Sequence, residues 1–138
     1  MTEALHTGGC LCGRVRYQVR GSALQTSLCH CEDCRRASGA PFVAWTFFPP
    51  GALAWTTGEP RKVEFAGRER WFCGDCGSPL LFVDPAGPDF TEVNTCTLDR
   101  ADAFPPGDQC WVHDELRWTS EIATLPRFDE TSPLPGDG

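Results

Sequence analysis

The chain has 138 residues, a formal net charge of −7 and nine cysteines, and its length suits a single domain. No run approaches the roughly 20 apolar residues that span a membrane, and the acidic charge disfavours nucleic acid as a partner. Because the N-terminus lacks the basic and apolar segments of a secretory signal, we expect a cytoplasmic protein, in which so many cysteines indicate metal binding or redox chemistry rather than disulfides.

Short β-strands dominate the predicted elements, because apolar residues recur with a period of two along much of the chain. Residues 14–19 alternate between polar and apolar side chains, which is typical of a half-buried strand, and residues 32–38 follow as a short helix-like patch. Residues 42–48 form a nearly continuous apolar run that two prolines end, as in a strand buried on both faces. The remaining strand candidates are residues 62–66, 68–72, 80–84, 91–97 and 110–113.

The end of the chain shows little of this periodicity. Residues 120–124 are a second short helix-like patch, and residues 129–138 are a tail rich in proline and glycine that we expect to be irregular. We therefore predict one all-β domain over residues 1–128, followed by a tail over residues 129–138.

Seven of the nine cysteines fall into three tight groups, a C-x-C, a C-x-C-x-x-C and a C-x-x-C. Zinc binds four thiolates tetrahedrally. A C-x-x-C turn points both sulfurs one way, and a C-x-C in an extended chain places both side chains on one face. We therefore assign the outer two groups to one closed structural zinc site, whose ligands are Cys10, Cys12, Cys73 and Cys76.

The middle group offers only three cysteines, Cys29, Cys31 and Cys34. Three protein ligands with one open position are the arrangement of a catalytic zinc, where water or substrate takes the vacancy. His30 lies between two of these ligands and is expected to point the other way. The alternative is a second structural site whose fourth ligand comes from elsewhere, such as His113 or Cys96.

Four further residues near these groups have expected roles. Cys96 and Cys110 stand alone in strand-like segments, so we expect both to be small buried hydrophobic residues. Three thiolates and one Zn²⁺ carry a formal charge of −1, which a neighbouring cation stabilises. Arg35 and Arg36 follow the last ligand directly and are the candidates for that cation.

Three motifs in this order and spacing identify a family resemblance. They are GGCLCG at residues 8–13, CHCEDCRR at residues 29–36 and FCGDCGSPL at residues 72–80. Thr97-Leu98-Asp99 and Trp118 follow them at matching positions. The chain resembles the glutathione-dependent formaldehyde-activating (Gfa-like) enzymes over residues 8–128, although Gln109 stands where many members have a histidine.

The resemblance implies several small coiled antiparallel sheets, a β-tent, around two zinc ions. One ion is structural, on the four-cysteine set, and the other is catalytic, on the three-cysteine set. The implied activity is that of a carbon–sulfur lyase, which forms or breaks a hemithioacetal between a glutathione-like thiol and a formaldehyde-like aldehyde. The implied partners are these two small molecules, with no organic cofactor and no membrane. The identity of the thiol and aldehyde and the oligomeric state stay open.

Two other functions fit the same residues. The scaffold can be a non-catalytic zinc module that binds a protein or a thiol. It can also be a thiol oxidoreductase that uses Cys96 or Cys110. The open three-cysteine group favours the lyase over both.

Overall fold

The computed structural model describes residues 3–136, which form ten β-strands, one α-helix and four short 3-10 segments. The first half of the chain contains β1 Leu5–Gly9, β2 Arg16–Arg20, β3 Gln25–Cys29, α1 Glu32–Ser38, β4 Val43–Phe48 and β5 Leu53–Thr57. The second half contains β6 Arg61–Phe65, β7 Arg68–Phe72, β8 Pro79–Val83, β9 Thr91–Asn94 and β10 Asp108–Cys110. The 3-10 segments are Thr95–Thr97, Ala101–Ala103, Val112–Asp114 and Arg117–Thr124.

The strands form two sheets, which confirms the predicted all-β class. One sheet has the order β1-β2-β5, and the other has the order β10-β3-β4-β9-β8-β7-β6. All pairs are antiparallel except β10 with β3, which is parallel. No helix among residues 3–136 is both long and apolar enough to cross a bilayer.

Two predicted strands extend too far. Strand β9 ends at Asn94, whose side-chain oxygen accepts a hydrogen bond from the Cys96 backbone N–H at 3.2 Å and so begins a 3-10 turn. Strand β10 ends at Cys110, because Trp111 adopts a left-handed backbone with φ of 54°. The predicted strands at residues 91–97 and 110–113 are therefore wrong beyond these two points.

Helix α1 has the predicted bounds, and its ends explain why. The Cys31 sulfur accepts a hydrogen bond from the Cys34 N–H at 3.2 Å, which caps the first turn. Gly39 ends the helix in the left-handed conformation, as helix C-termini commonly do. Glu32 and Arg36 form an i,i+4 ion pair at 2.9 Å. The other helix-like patch belongs to the 3-10 segment Arg117–Thr124 rather than to an α-helix.

The main hydrophobic core lies between the two sheets. Tyr17 and Val19 of β2 pack in it with Phe48 of β4 and Val93 of β9, all of them buried. At its edge, a Cβ atom on Gly8 would overlap the Tyr17 hydroxyl, so this close approach requires glycine. The three-stranded sheet is thereby held against one face of the seven-stranded sheet.

The opposite face of the seven-stranded sheet carries a second cluster. Cys29, Cys34, Val43 and Trp45 are buried there, and Phe47 and Phe82 pack against them. Cross-strand pairing also places a row of side chains on this face, namely Phe47, Glu92, Phe82 and Arg70. This face positions the candidate site.

Candidate metal centres

The structure brings Cys10, Cys12, Cys73 and Cys76 together, with all four sulfurs within 4.8 Å of one another. The Cys10 and Cys12 sulfurs lie 3.6 Å apart, and the Cys12 and Cys73 sulfurs lie 3.8 Å apart. A tetrahedral site with metal–sulfur bonds of about 2.3 Å has edges of about 3.8 Å. The four sulfurs therefore have the spacing that a metal ion requires.

Short turns aim these sulfurs at one point. Gly77 is left-handed, with φ of 80°, and its N–H donates to the Cys73 carbonyl at 2.8 Å. Ser78 joins the two halves, because its hydroxyl accepts from the Leu11 N–H at 2.9 Å and lies 3.3 Å from the Cys76 sulfur. Hydrogen bonds with Ser78 lower the pKa of Cys76 to about 5, which favours the thiolate that binds metals.

The second cluster consists of Cys29, Cys31 and Cys34, with sulfurs again within 4.8 Å of one another. They come from the end of β3, the residue before α1 and the first turn of α1. A hydrogen bond with Cys29 lowers the pKa of Cys34 to about 5, and the same contact raises the pKa of Cys29. The cluster thus favours a shared negative charge on its sulfurs.

Within residues 3–136 no fourth ligand joins this cluster. His113 is exposed, and its Nδ1 lies 2.7 Å from the Asp114 carboxylate. Cys96 is exposed in a 3-10 turn. The two residues suggested as a fourth ligand are therefore placed elsewhere, and the cluster has three ligands in the described chain.

The cation beside the cluster is Arg70, in β7, rather than either predicted arginine. Its Nη2 lies 3.9 Å from the Cys34 sulfur, and its guanidinium lies 4.9 Å from the centre of the Phe82 ring. Arg36 instead pairs with Glu32, and the Nε of Arg35 is buried without a hydrogen-bond partner. The sequence carries no local signal for Arg70, which lies 36 residues from Cys34.

A cavity of about 450 Å³, here called the cysteine pocket, opens over the three sulfurs. Trp45, Phe47 and Phe82 form its aromatic wall. Its charged side chains are Glu32, Asp33, Arg68, Arg70, Asp84 and Glu92. Burial raises the pKa of Glu92 to about 7, with a contribution from the charge at Cys34. The pocket therefore places a carboxyl group that titrates near neutral pH close to the cluster.

A family model described as glutathione-dependent formaldehyde-activating enzyme matches residues 5–114. The chain belongs to this family. The match covers about four fifths of its residues and includes both cysteine clusters of this Gfa-family chain.

Two relatives add to the family match. A Schizosaccharomyces pombe protein, described as an uncharacterized lyase, is 29% identical over 78 residues, which are 56% of this chain and 57% of that protein. A crystal structure of a Rhodobacter sphaeroides protein matches with a TM-score of 0.56 at 24% identity, over 75% of this chain and 98% of that one. The match thus spans just over half of the curated relative, and the crystal structure supports the fold.

His30 stays outside the metal cluster in this Gfa-family chain, as expected. It is buried, packs against Phe42 with ring centres 5.3 Å apart, and its Nε2 lies 2.8 Å from the Gln109 Oε1. Gln109 thus serves as the partner of His30 and links β10 to the segment that carries the ligands.

The prediction that Cys96 and Cys110 are buried is wrong, because both are exposed. Cys96 lies in the turn that Asn94 begins. Cys110 lies in β10, where it is the register partner of Cys29, and it lines the cysteine pocket. A strand-like pattern indicated burial, but β10 is a three-residue edge strand that nothing covers among the described residues.

Proposed function

We propose that this protein is a zinc-dependent carbon–sulfur lyase that forms or breaks a hemithioacetal between a glutathione-like thiol and a formaldehyde-like aldehyde. The supporting observation is the three-sulfur cluster on the floor of an open pocket. Family membership and the lyase description of the yeast relative favour the same reaction class.

In this proposal Cys29, Cys31 and Cys34 hold the catalytic zinc, and the four-cysteine cluster holds the structural zinc. The donor set fits, because thiolates at these separations are typical zinc ligands. When bound, the open-site zinc supplies Lewis-acid polarisation and stabilises a thiolate.

The remaining residues of the pocket act on charge, water and protons. Arg70 offsets the formal charge of −1 on the three-thiolate site. Trp45 and Phe82 limit the access of water, which strengthens that interaction. The Glu92 carboxyl accepts a proton from the thiol or returns one to the product hydroxyl near neutral pH.

The test is a titration of ¹⁵N-labelled, zinc-loaded protein with glutathione, followed by NMR, with and without formaldehyde. We expect millimolar glutathione to shift the amide signals of residues 29–34 and of Arg70 and Glu92. The matched control is Cys31→Ser, which removes one open-site ligand and is expected to lose these shifts. An absence of shifts near residues 29–34 in the zinc-loaded protein would contradict the glutathione assignment.

Catalysis requires a second measurement, because binding alone is also expected of the non-catalytic module. Exchange NMR on glutathione and its hydroxymethyl adduct gives their interconversion rate at increasing protein concentration. A lyase increases this rate in proportion to the protein, and Cys31→Ser does not. Binding with an unchanged rate would support the zinc module that only carries thiols.

A further inference from the structure

A second cavity, of about 380 Å³, adjoins the cysteine pocket. It lies along α1, β4 and the strands β6 to β8, and we call it the apolar groove. Most of its wall is hydrocarbon or aromatic, including the side chains of Val43, Trp45, Val63 and Phe72.

The two cavities differ sharply in charge. Six acidic or basic side chains line the cysteine pocket, whereas Arg70 is the one such side chain that lines the apolar groove among the described residues. The Arg70 guanidinium itself lies over Phe82 and beside Cys34, at the boundary between the two. The groove therefore suits an uncharged apolar group, and the pocket suits a polar or zwitterionic molecule.

The cavities meet at the metal cluster. Cys34, Trp45 and Arg70 line both of them. A sulfur that is bound in the cysteine pocket near Cys34 is therefore within reach of the groove, so that one of its carbon substituents can enter it. A hydroxymethyl group from formaldehyde is one carbon long and leaves most of this apolar space unused.

We propose that the aldehyde substrate carries a hydrocarbon chain or an aromatic ring that lies in the apolar groove. The inference rests on the proposed function and names its substrate class. In the reaction the thiol sulfur forms a bond to the carbonyl carbon, the carbonyl π bond breaks, and the thiol proton ends on the carbonyl oxygen. Nothing is oxidised or reduced.

Stable thioethers test this assignment. S-methyl, S-butyl and S-hexyl glutathione resemble the hemithioacetal at sulfur but do not decompose, and isothermal titration calorimetry gives their affinities for the zinc-loaded protein. Each methylene that enters the groove is expected to tighten binding about two- to fourfold, since burial of a CH₂ group contributes up to about that factor.

Paired substitutions locate the chain-length effect. Ala37 is exposed on α1 and lines the groove, so Ala37→Phe is expected to remove the gain for S-hexyl glutathione and to leave S-methyl glutathione unchanged. Ala54 is exposed in β5 and lines neither cavity, so Ala54→Phe is the matched control. If circular dichroism shows that Ala37→Phe is unfolded, Val63→Trp, at an exposed position on another wall, replaces it.

The outcomes separate the two proposals. Binding of all three thioethers with equal affinity overturns the groove assignment and leaves the proposed thiol chemistry intact. The groove assignment is also overturned if affinity still rises with alkyl chain length in both Ala37→Phe and Val63→Trp. No binding of any thioether or of glutathione at millimolar concentration overturns the groove assignment together with the proposed function.

Discussion

At the residue scale, Arg70 is the side chain of the seven-stranded sheet that contacts the three-cysteine cluster. It packs on Phe82 and reaches the Cys34 sulfur from β7. A positive charge at this distance favours the thiolate form and therefore metal binding. Arg36, which follows the ligands in sequence, does not replace it, because α1 directs that side chain towards Glu32.

We predict that Arg70→Met weakens metal binding at the three-cysteine site by about 10- to 100-fold, the range typical of a lost partner of a metal ligand. Competition with a calibrated chelator measures the affinity of the weaker-bound ion. The control is Arg68→Met, because Arg68 lines the same pocket but pairs with Asp84 at 3.7 Å. Equal losses in both variants would contradict a specific role for Arg70.

We also predict that Cys110→Ser keeps two metal ions per chain and the rate of hemithioacetal exchange. Cys110 lines the cysteine pocket, but its sulfur is not part of either sulfur cluster. Cys29→Ser, at the register partner of Cys110, is the contrasting variant and is expected to lose one ion. If Cys110→Ser abolishes activity while its metal content stays normal, the thiol oxidoreductase becomes the better explanation.

At the element scale, Asp99 ties β1 and β2 to the segment after β9. Its carboxylate accepts two hydrogen bonds from Arg16, one of them at 2.9 Å, and one from the Thr7 hydroxyl at 2.6 Å. The Arg16 and Thr7 contacts lower the pKa of Asp99 to about 2. The ionised form is therefore more favourable in the folded protein than in the unfolded chain.

The pKa of Asp99 gives a pH dependence with a definite sign. An unfolded aspartate has a pKa of about 3.9, so the stabilisation is complete above about pH 5 and is lost as the pH falls towards 2. We predict that Asp99→Asn lowers the unfolding free energy by about 1 kcal/mol at pH 7, a modest value because the pair is partly exposed. Urea unfolding at several pH values measures the difference from wild type, which should shrink in acid.

The control for this prediction is Asp102→Asn, in the adjacent 3-10 segment, where the carboxylate is exposed. That variant should match wild type at every pH. A difference for Asp99→Asn that stays constant from pH 7 to pH 2.5 would show that its effect does not come from ionisation.

Element prediction from the sequence worked where the pattern is local. Helix α1 and strand β7 have their predicted bounds, β4 differs by one residue at its start, and β2, β6 and β8 differ by one or two residues at both ends. Strands β1, β3 and β5 were not predicted. In β3 the buried Thr26 is polar, and its hydroxyl joins a hydrogen-bonded row with Thr46 and Thr95. Because Thr26 is buried but polar, β3 shows no apolar alternation. Its burial depends on hydrogen bonds to threonines in distant segments of the chain, which the local sequence does not reveal.

At the scale of the whole molecule, the two cysteine clusters differ in how much of the chain they hold together. The four-cysteine cluster joins β1 and β2 to the turn between β7 and β8, whereas the three-cysteine cluster is contained within residues 29–34. A structural zinc site contributes about 10–16 kcal/mol of apparent binding free energy, and a domain is stable by about 5–15 kcal/mol. The fold is therefore expected to depend on the first cluster.

We predict two zinc ions per chain, with the ion at the three-cysteine site bound more weakly. Cys73→Ser should lose the tightly bound ion and unfold, and Cys31→Ser should lose the other ion and stay folded. Elemental analysis and circular dichroism of the two purified variants measure both effects. A Cys73→Ser protein that keeps its metal and its fold would refute the structural assignment.

The sequence predicts each cysteine group because spacing within a group is a local property, and the four ligands that zinc requires pair the two outer groups. The C-x-x-C of Cys73 and Cys76 is set by one turn, and the middle group lies within six residues. Arg70 and the apolar groove depend instead on how β4, β7, β8 and β9 pair in register. That register is fixed by contacts between segments tens of residues apart, which no short motif encodes. The domain boundary at residue 128 stays a prediction.

The span between the two halves of the four-cysteine cluster also affects how the protein is made. Cys12 and Cys73 are 61 residues apart, and closing a loop of that length has an entropic cost on the order of 4 kcal/mol. At typical synthesis rates the first pair of thiols waits roughly 3 to 12 s on the ribosome before the second pair is added. A metal ion that needs all four of these ligands can therefore bind only late in synthesis, and Cys10 and Cys12 must stay reduced until then.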